Sequence, residues 1–202
     1  MNSITFRKVS TQLVGVLTII LTCIGVVSAQ VQYSLKDKAS LVVSGTSTLH
    51  DWDMNSTTAT CTATFILNAA NHLTNVTAIQ FSTPIAELKS KHSAMDKNAY
   101  KALNKDKAPN ISFVLTAGTA SIIDAGNGNY TLKCKGKLNI AGSSVETDLS
   151  ANCKLNADKT ITVTGSKNIS MKDYNVTPPS FMMGAVKTGN DIVLKFNLTL
   201  KS

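Results

Sequence analysis

A chain of 202 residues, 43% hydrophobic and 16% charged, is long enough for one substantial core. That balance excludes a disordered acidic chain and a multi-span membrane protein. Its 20 basic residues outnumber 12 acidic ones, but Arg7 is the single arginine, so the body of the chain lacks the guanidinium forks that read base edges, and no nucleic-acid partner is expected. Three histidines and four cysteines leave little material for a metal centre.

The chain opens on a targeting pattern. Met1–Lys8 carries Arg7 and Lys8 and no acid, Val9–Val27 is almost entirely apolar or small, and Val27-Ser28-Ala29 places small residues where a signal peptidase reads. Residues 1–29 are therefore expected to be a signal peptide cleaved near Ala29, and residues 30–202 one exported domain, periplasmic or secreted. The alternative is a retained anchor helix, since about twenty apolar residues can span a bilayer. Removing Arg7 and Lys8 from the 20 basic residues leaves 18 lysines against 12 acids, and Cys61, Cys134 and Cys153 remain of the four cysteines.

Beyond residue 30 the dominant pattern is alternation with period two, the mark of strands with one wet and one dry face. Val31–Leu35 and Leu41–Thr48 are the first, weaker candidates. Thr58, Thr60, Thr62 and Thr64 then alternate with Ala59, Cys61, Ala63 and Phe65. Val76–Thr83 follows. Ser93, with an acid at Asp96, reads as the cap of one short amphipathic helix whose dry face carries Met95, Ala99, Ala102 and Leu103 and whose wet face carries Lys97, Lys101 and Lys105. Pro109 bars its continuation. Ile111–Thr116 returns to strand. Lys133, Lys135 and Lys137 alternate with Leu132, Cys134, Gly136 and Leu138, and Glu146, Asp148, Ser150 and Asn152 with Val145, Thr147, Leu149, Ala151 and Cys153. Thr160–Ile169 is a further candidate. An irregular stretch, Val176–Gly189, holds Pro178-Pro179 and Phe181-Met182-Met183, and a loop of that length is usually functional. Lys195, Asn197, Thr199 and Lys201 close the chain in alternation with Leu194, Phe196, Leu198 and Leu200.

About nine strands with dry faces and little helix to cover them must bury those faces on each other, in a sandwich or a closed barrel. Long consecutive strands, about ten residues or ~33 Å each, joined by short turns favour an all-β, eight-stranded antiparallel up-and-down barrel. A transmembrane barrel is disfavoured because the lysine rows would face lipid.

The dry faces nominate Ala59, Ala63, Phe65, Ile79, Phe81, Phe113, Leu115, Leu132, Leu138, Leu149, Phe196 and Leu198, with Met95 and Leu103 of the helix, as the wall of an apolar interior. Small inward residues such as Ala63 and Gly136 tend to leave space, although large residues opposite could fill it. Pattern alone thus fits either a packed core or a narrow tunnel suited to a hydrocarbon chain. Trp52, Tyr100, Phe181, Met182 and Met183 are candidates for the mouth or a gate. Were the hairpin tip at Ser143-Ser144, Cys134 and Cys153 would stand opposite each other and could form a disulfide. The alternative is that all three mature cysteines are small core residues. His50-Asp51-Trp52-Asp53 is the one place where histidine meets carboxylates, but no GxSxG, HExxH or CxxC occurs, and neither an enzyme nor a metal cofactor is expected. The lysine rows read either as a solvated outer wall or as a contact for an anionic membrane surface.

Several segments carry a more specific likeness. Leu88-Lys89-Ser90, Met95 to Leu103 and Pro109-Asn110-Ile111-Ser112-Phe113 together resemble the central signature of the YceI-like family. Gly45-Thr46-Ser47-Thr48-Leu49-His50-Asp51-Trp52 resembles its early strand, Gly136 to Gly142 its central hairpin, and Lys172-Asp173-Tyr174-Asn175-Val176 with Pro178-Pro179 and Met183-Gly184 the segment before its last strand. The resemblance implies a lipocalin-like barrel, exported, in which some members hold a polyisoprenoid or similar amphiphile. The expectation is therefore a non-enzymatic carrier of a long-chain lipid of polyisoprenoid, quinone or fatty-acyl type, that lipid being the one bound partner. The alternative is an exported stress or interaction protein that uses a filled barrel as scaffold.

Overall fold

The computed structural model describes residues 28–202. The leader expected for residues 1–29 lies, apart from its last two residues, outside them. Twelve strands follow in order: β1 (Ala29–Leu35), β2 (Ser40–Ser47), β3 (Trp52–Ser56), β4 (Thr60–Leu67), β5 (Leu73–Pro84), β6 (Asn110–Leu115), β7 (Ser121–Gly126), β8 (Asn129–Ile140), β9 (Ser143–Leu155), β10 (Ile161–Ser170), β11 (Ser180–Phe181) and β12 (Val186–Lys201). One helix, α1 (Ser93–Ala102), interrupts them between β5 and β6.

Eleven of the twelve strands compose eight staves, because three staves are broken in the middle, and the two-residue β11 pairs with the start of β12. Both β1 and β2 run antiparallel to β12, with Leu35 opposite Leu200 and Ser40 opposite Asn197, so they form one kinked strand. That strand pairs along its other edge with β3 and β4, a second kinked strand. β6 and β7 likewise both pair with β8. Every neighbour in the ring is antiparallel and consecutive, and the β1–β12 pairing closes it. The barrel leaves few free edges, which blunts edge-to-edge aggregation.

The break between β3 and β4 shows how a kink is tolerated inside a wall. Ser56 and Thr83 are both buried, and their hydroxyls donate to the Thr58 carbonyl at 3.2 and 2.8 Å, satisfying a backbone group that the ladder has dropped. Sequence reading anticipated about nine strands. The three not anticipated are β3, β7 and β11, each too short or too irregular for alternation to register. The helix also differs at its start: Ser93 is its first residue and His92 precedes it without a side-chain cap. Asp96 instead accepts hydrogen bonds from the Ser90 backbone N–H and hydroxyl, both at 2.7 Å, and so ties the helix to the segment before it.

All the long connections fall at one end of the barrel. The loop at 48–51, the α1 insertion at 85–109 and the stretch at 171–185 rim this end, whereas the opposite end carries both described termini and the short turns at 68–72, 127–128 and 156–160. The short-turn end is packed solid. Phe65, Val76, Cys153, Ile161 and Leu200 are each 2% exposed or less, and the Tyr33 ring meets Phe65 edge-on, with centroids 5.6 Å apart. We call this end the base and the other the mouth.

Candidate functional site

Above the packed base the barrel is hollow. A cavity of about 750 Å³ runs from Phe65 and Leu200 at its floor to α1, Trp52 and Phe181 at the mouth. Its wall is almost wholly apolar, and the volume falls within the ~300–1,000 Å³ usual for a small-molecule site. Several inward residues of the upper half, including Ile79, Phe81, Leu149, Leu194 and Phe196, are only partly buried although they face the barrel axis, because they look into the hollow.

Local sequence explains why the space stays open. A Cβ on Gly136 would lie 2.3 Å from the Phe113 ring, and one on Gly165 would lie 2.4 Å from the Phe196 ring. These rings therefore lie flat against the wall, over neighbouring glycines, instead of projecting across the barrel. The space over Gly136 is taken by Phe113, so this small inward residue does not itself enlarge the cavity; it lets an aromatic ring become part of the lining.

Of the residues nominated from the dry faces, Ala63, Phe65, Ile79, Phe81, Phe113, Leu132, Leu138, Leu149, Phe196 and Leu198 line the cavity, as do Met95 and Leu103 of α1. Ala59 and Leu115 do not. Ala59 falls in the break between β3 and β4, and Leu115 is buried in the core outside the lining. Of the mouth residues, Trp52 and Phe181 line the opening, and the Trp52 indole N–H donates to the Thr46 carbonyl at 3.0 Å. Tyr100 stands beside the mouth without lining it. Its hydroxyl lies 3.0 and 2.9 Å from the carbonyls of Ala86 and Leu88 and accepts from Lys89 Nζ at 2.8 Å, so it fastens α1 to the preceding turn. Met183 is fully exposed, at a residue with φ of 55°, and points away from the hollow. The Met182 side chain lies outside the described residues.

Of the two readings of Cys134 and Cys153, the hairpin register excludes the bridge. The turn is Ala141-Gly142, with φ of 54° and 87°, a two-residue connection whose twist matches the strands. Ile140 pairs with Ser143, which puts Cys134 opposite Leu149 and Cys153 opposite Tyr130. Cys61, Cys134 and Cys153 are free and buried. Burial holds all three thiols protonated, pushing Cys61 and Cys134 up to about 11 and Cys153 up to about 12.

His50 and Asp51 do not form a catalytic pair: His50 Nδ1 lies 2.8 Å from the Asp51 backbone carbonyl in the rim loop. Among the described residues no group of three or more His, Cys, Asp or Glu could hold a metal ion. Residues that sequence reading left out of the site include Leu41, Val43, Met54, Ile111 and Tyr174, all in the lining, and Lys167 on β10. Alternation signals Leu41 and Val43. For Lys167 the signal is its place two residues beyond Gly165, on the dry side of β10, a strand whose faces the weak alternation of Thr160–Ile169 does not separate.

A closed antiparallel barrel with a packed base and an apolar hollow under a helix is a lipocalin-like fold. The profile of the YceI-like domain matches residues 33–200, and the chain belongs to that family. Among solved structures it is similar to BcnA of Burkholderia cenocepacia, at 17% identity and a TM-score of 0.62, over 80% of this chain and 95% of that one. It is also similar to a polyisoprenoid-binding domain from Saccharophagus degradans implicated in plant cell wall breakdown, at 10% identity and a TM-score of 0.61, over 84% and 98%. At these identities the similarity shows the fold. Comparison with curated proteins finds no match.

Proposed function

We propose that this protein is an exported, non-enzymatic carrier of a long-chain amphiphilic lipid of polyisoprenoid, quinone or fatty-acyl type. The observation that carries the reading is the hollow itself: a deep, almost uncharged apolar cavity that a folded barrel keeps open. A hydrocarbon chain placed there leaves water at roughly 0.8 kcal/mol per methylene, with few polar partners to satisfy. The family membership, and the similarity in fold to a polyisoprenoid-binding domain, support this reading. The leader-like start of the chain supports export to the periplasm or beyond, and the outward lysine row Lys133, Lys135 and Lys137 on β8 offers a contact for an anionic membrane surface where lipid is taken up or released.

A filled cavity tests it. Ala63 is a buried lining residue, paired across the ladder with Ile79. In the mature protein, Ala63→Trp is expected to keep the barrel, by circular dichroism, and to lose at least tenfold in affinity for a fluorescent polyene fatty acid. A folded Ala63→Trp variant that binds as tightly as the parent would place the ligand elsewhere.

A further inference from the structure

The barrel wall has a seam. The β9–β10 ladder starts at Leu155 with Ile161 and ends at Ala151 with Gly165. Both strands continue past that point, β9 back to Ser143 and β10 on to Ser170, but each is held only on its far side, by β8 and β12 respectively. Over this stretch no backbone ladder joins them. A side chain spans the gap: Lys167 Nζ donates to the Asp148 carbonyl at 2.8 Å, where a neighbouring strand would otherwise supply an N–H.

Lys167 is an odd residue for that place. Alternation along β10 puts it on the same face as Val163 and Ile169, and with them it lines the cavity. Among the described lining residues it is the one that carries a fixed charge. Outside the seam lies a second hollow, about 620 Å³, walled by Ser121, Lys133, Lys135, Asp148 and Ser166. Leu149 and Lys167 border both hollows, so the two meet at the seam. The outer hollow brings Lys133 and Lys135 against a single acid, Asp148, which is 4.0 Å from Lys135.

We infer that the seam is the head-group site of an acidic amphiphile, with its chain in the cavity and its carboxylate or phosphate on Lys167. This inference rests on the carrier reading above and goes further by naming the head group and the side of the barrel that takes it. In the free protein the ammonium is held by a neutral carbonyl. An anionic oxygen at the same position forms a stronger, charge-assisted hydrogen bond and can displace it. Lys133 and Lys135, just outside, draw an anion toward the gap.

The test compares head groups on one chain length. Hexadecanoate, hexadecyl phosphate and hexadecanol are titrated into the mature protein by competition against a bound fluorescent lipid. The two acids are expected to bind about tenfold more tightly than the alcohol, and inorganic phosphate alone, without a chain, is expected not to compete. Lys167→Met is expected to erase the preference by bringing the affinity for the two acids down to that for hexadecanol, and Lys167→Arg to keep it. Should Lys167→Met lose the barrel, Lys167→Gln serves the same comparison. A folded Lys167→Met or Lys167→Gln protein with the parent's preference for acids, or equal binding of all three ligands by the parent, overturns the head-group site alone. Binding of none of the three overturns the carrier reading and the site with it.

Discussion

The two halves of the barrel are built from the same eight staves and the same alternation, yet one is solid and the other hollow. At the base, Phe65, Ile161 and Leu200 share one core under short turns, and each is at most 1% exposed. Higher up, residues of the same kind, such as Phe196 on β12 with Leu149 on β9 and Ile79 on β5, are only partly buried and line the hollow. Composition does not separate them. Two devices do: glycines at 136 and 165 let aromatic rings lie against the wall, and long connections gathered at one end roof the space with α1 instead of filling it. Packing at the base supplies stability, and incomplete packing at the mouth supplies a binding volume.

Truncation should therefore cost very different amounts in the two halves. Phe65→Ala removes a ring from close-packed surroundings and is expected to destabilise the fold by about 3–5 kcal/mol. Leu149→Ala, on the hollow side, is expected to cost less than about 2 kcal/mol, below the range of fully packed leucines. Urea unfolding of the two variants measures both; equal costs would mean that the upper half is packed in solution.

The thiols give a subtler contrast. Each has a folded pKa above its ordinary value of 9.0, so stability is unaffected below pH 9 and falls as pH rises above it, because the unfolded chain sheds protons that the folded chain keeps. The expected slope is about 1.4 kcal/mol per thiol for each pH unit above 9. Unfolding free energies between pH 8 and 10.5, compared with those of a variant carrying alanine at Cys61, Cys134 and Cys153, isolate it. The same thiols report on location: Cys61 lines the cavity whereas Cys153 is 1% exposed in the base. Alkylation of the native protein is expected to reach Cys61 well before Cys153, and bound lipid to slow only the former.

Much of this was legible in the sequence, for identifiable reasons. Alternation assigns faces, so it sets Ala63, Phe65, Phe113 and Leu138 on the inward side, where they line the cavity. It does not assign register: sliding β9 against β8 by any even number of residues preserves every face, and that degeneracy is why Cys134 could be set opposite Cys153 when its neighbour is Leu149, four residues away. The turn decides, and it does so by placing Ala141, a residue with no special tolerance for positive φ, in the left-handed region. Nor does alternation reveal where a ladder stops. The seam beside Lys167 arises where the β9–β10 ladder ends at Ala151 and Gly165, which no pattern within either strand records. The short strands β3 and β11 left too few residues for a period to show.

The carrier reading turns on whether the hollow holds lipid. Mature protein purified from its exporting host, or refolded in the presence of total membrane lipid, can be extracted with organic solvent and the extract analysed by mass spectrometry. The account predicts a long-chain amphiphile at close to one equivalent per barrel, lost in the folded Ala63→Trp variant. A folded parent protein that yields no lipid by either route would contradict it.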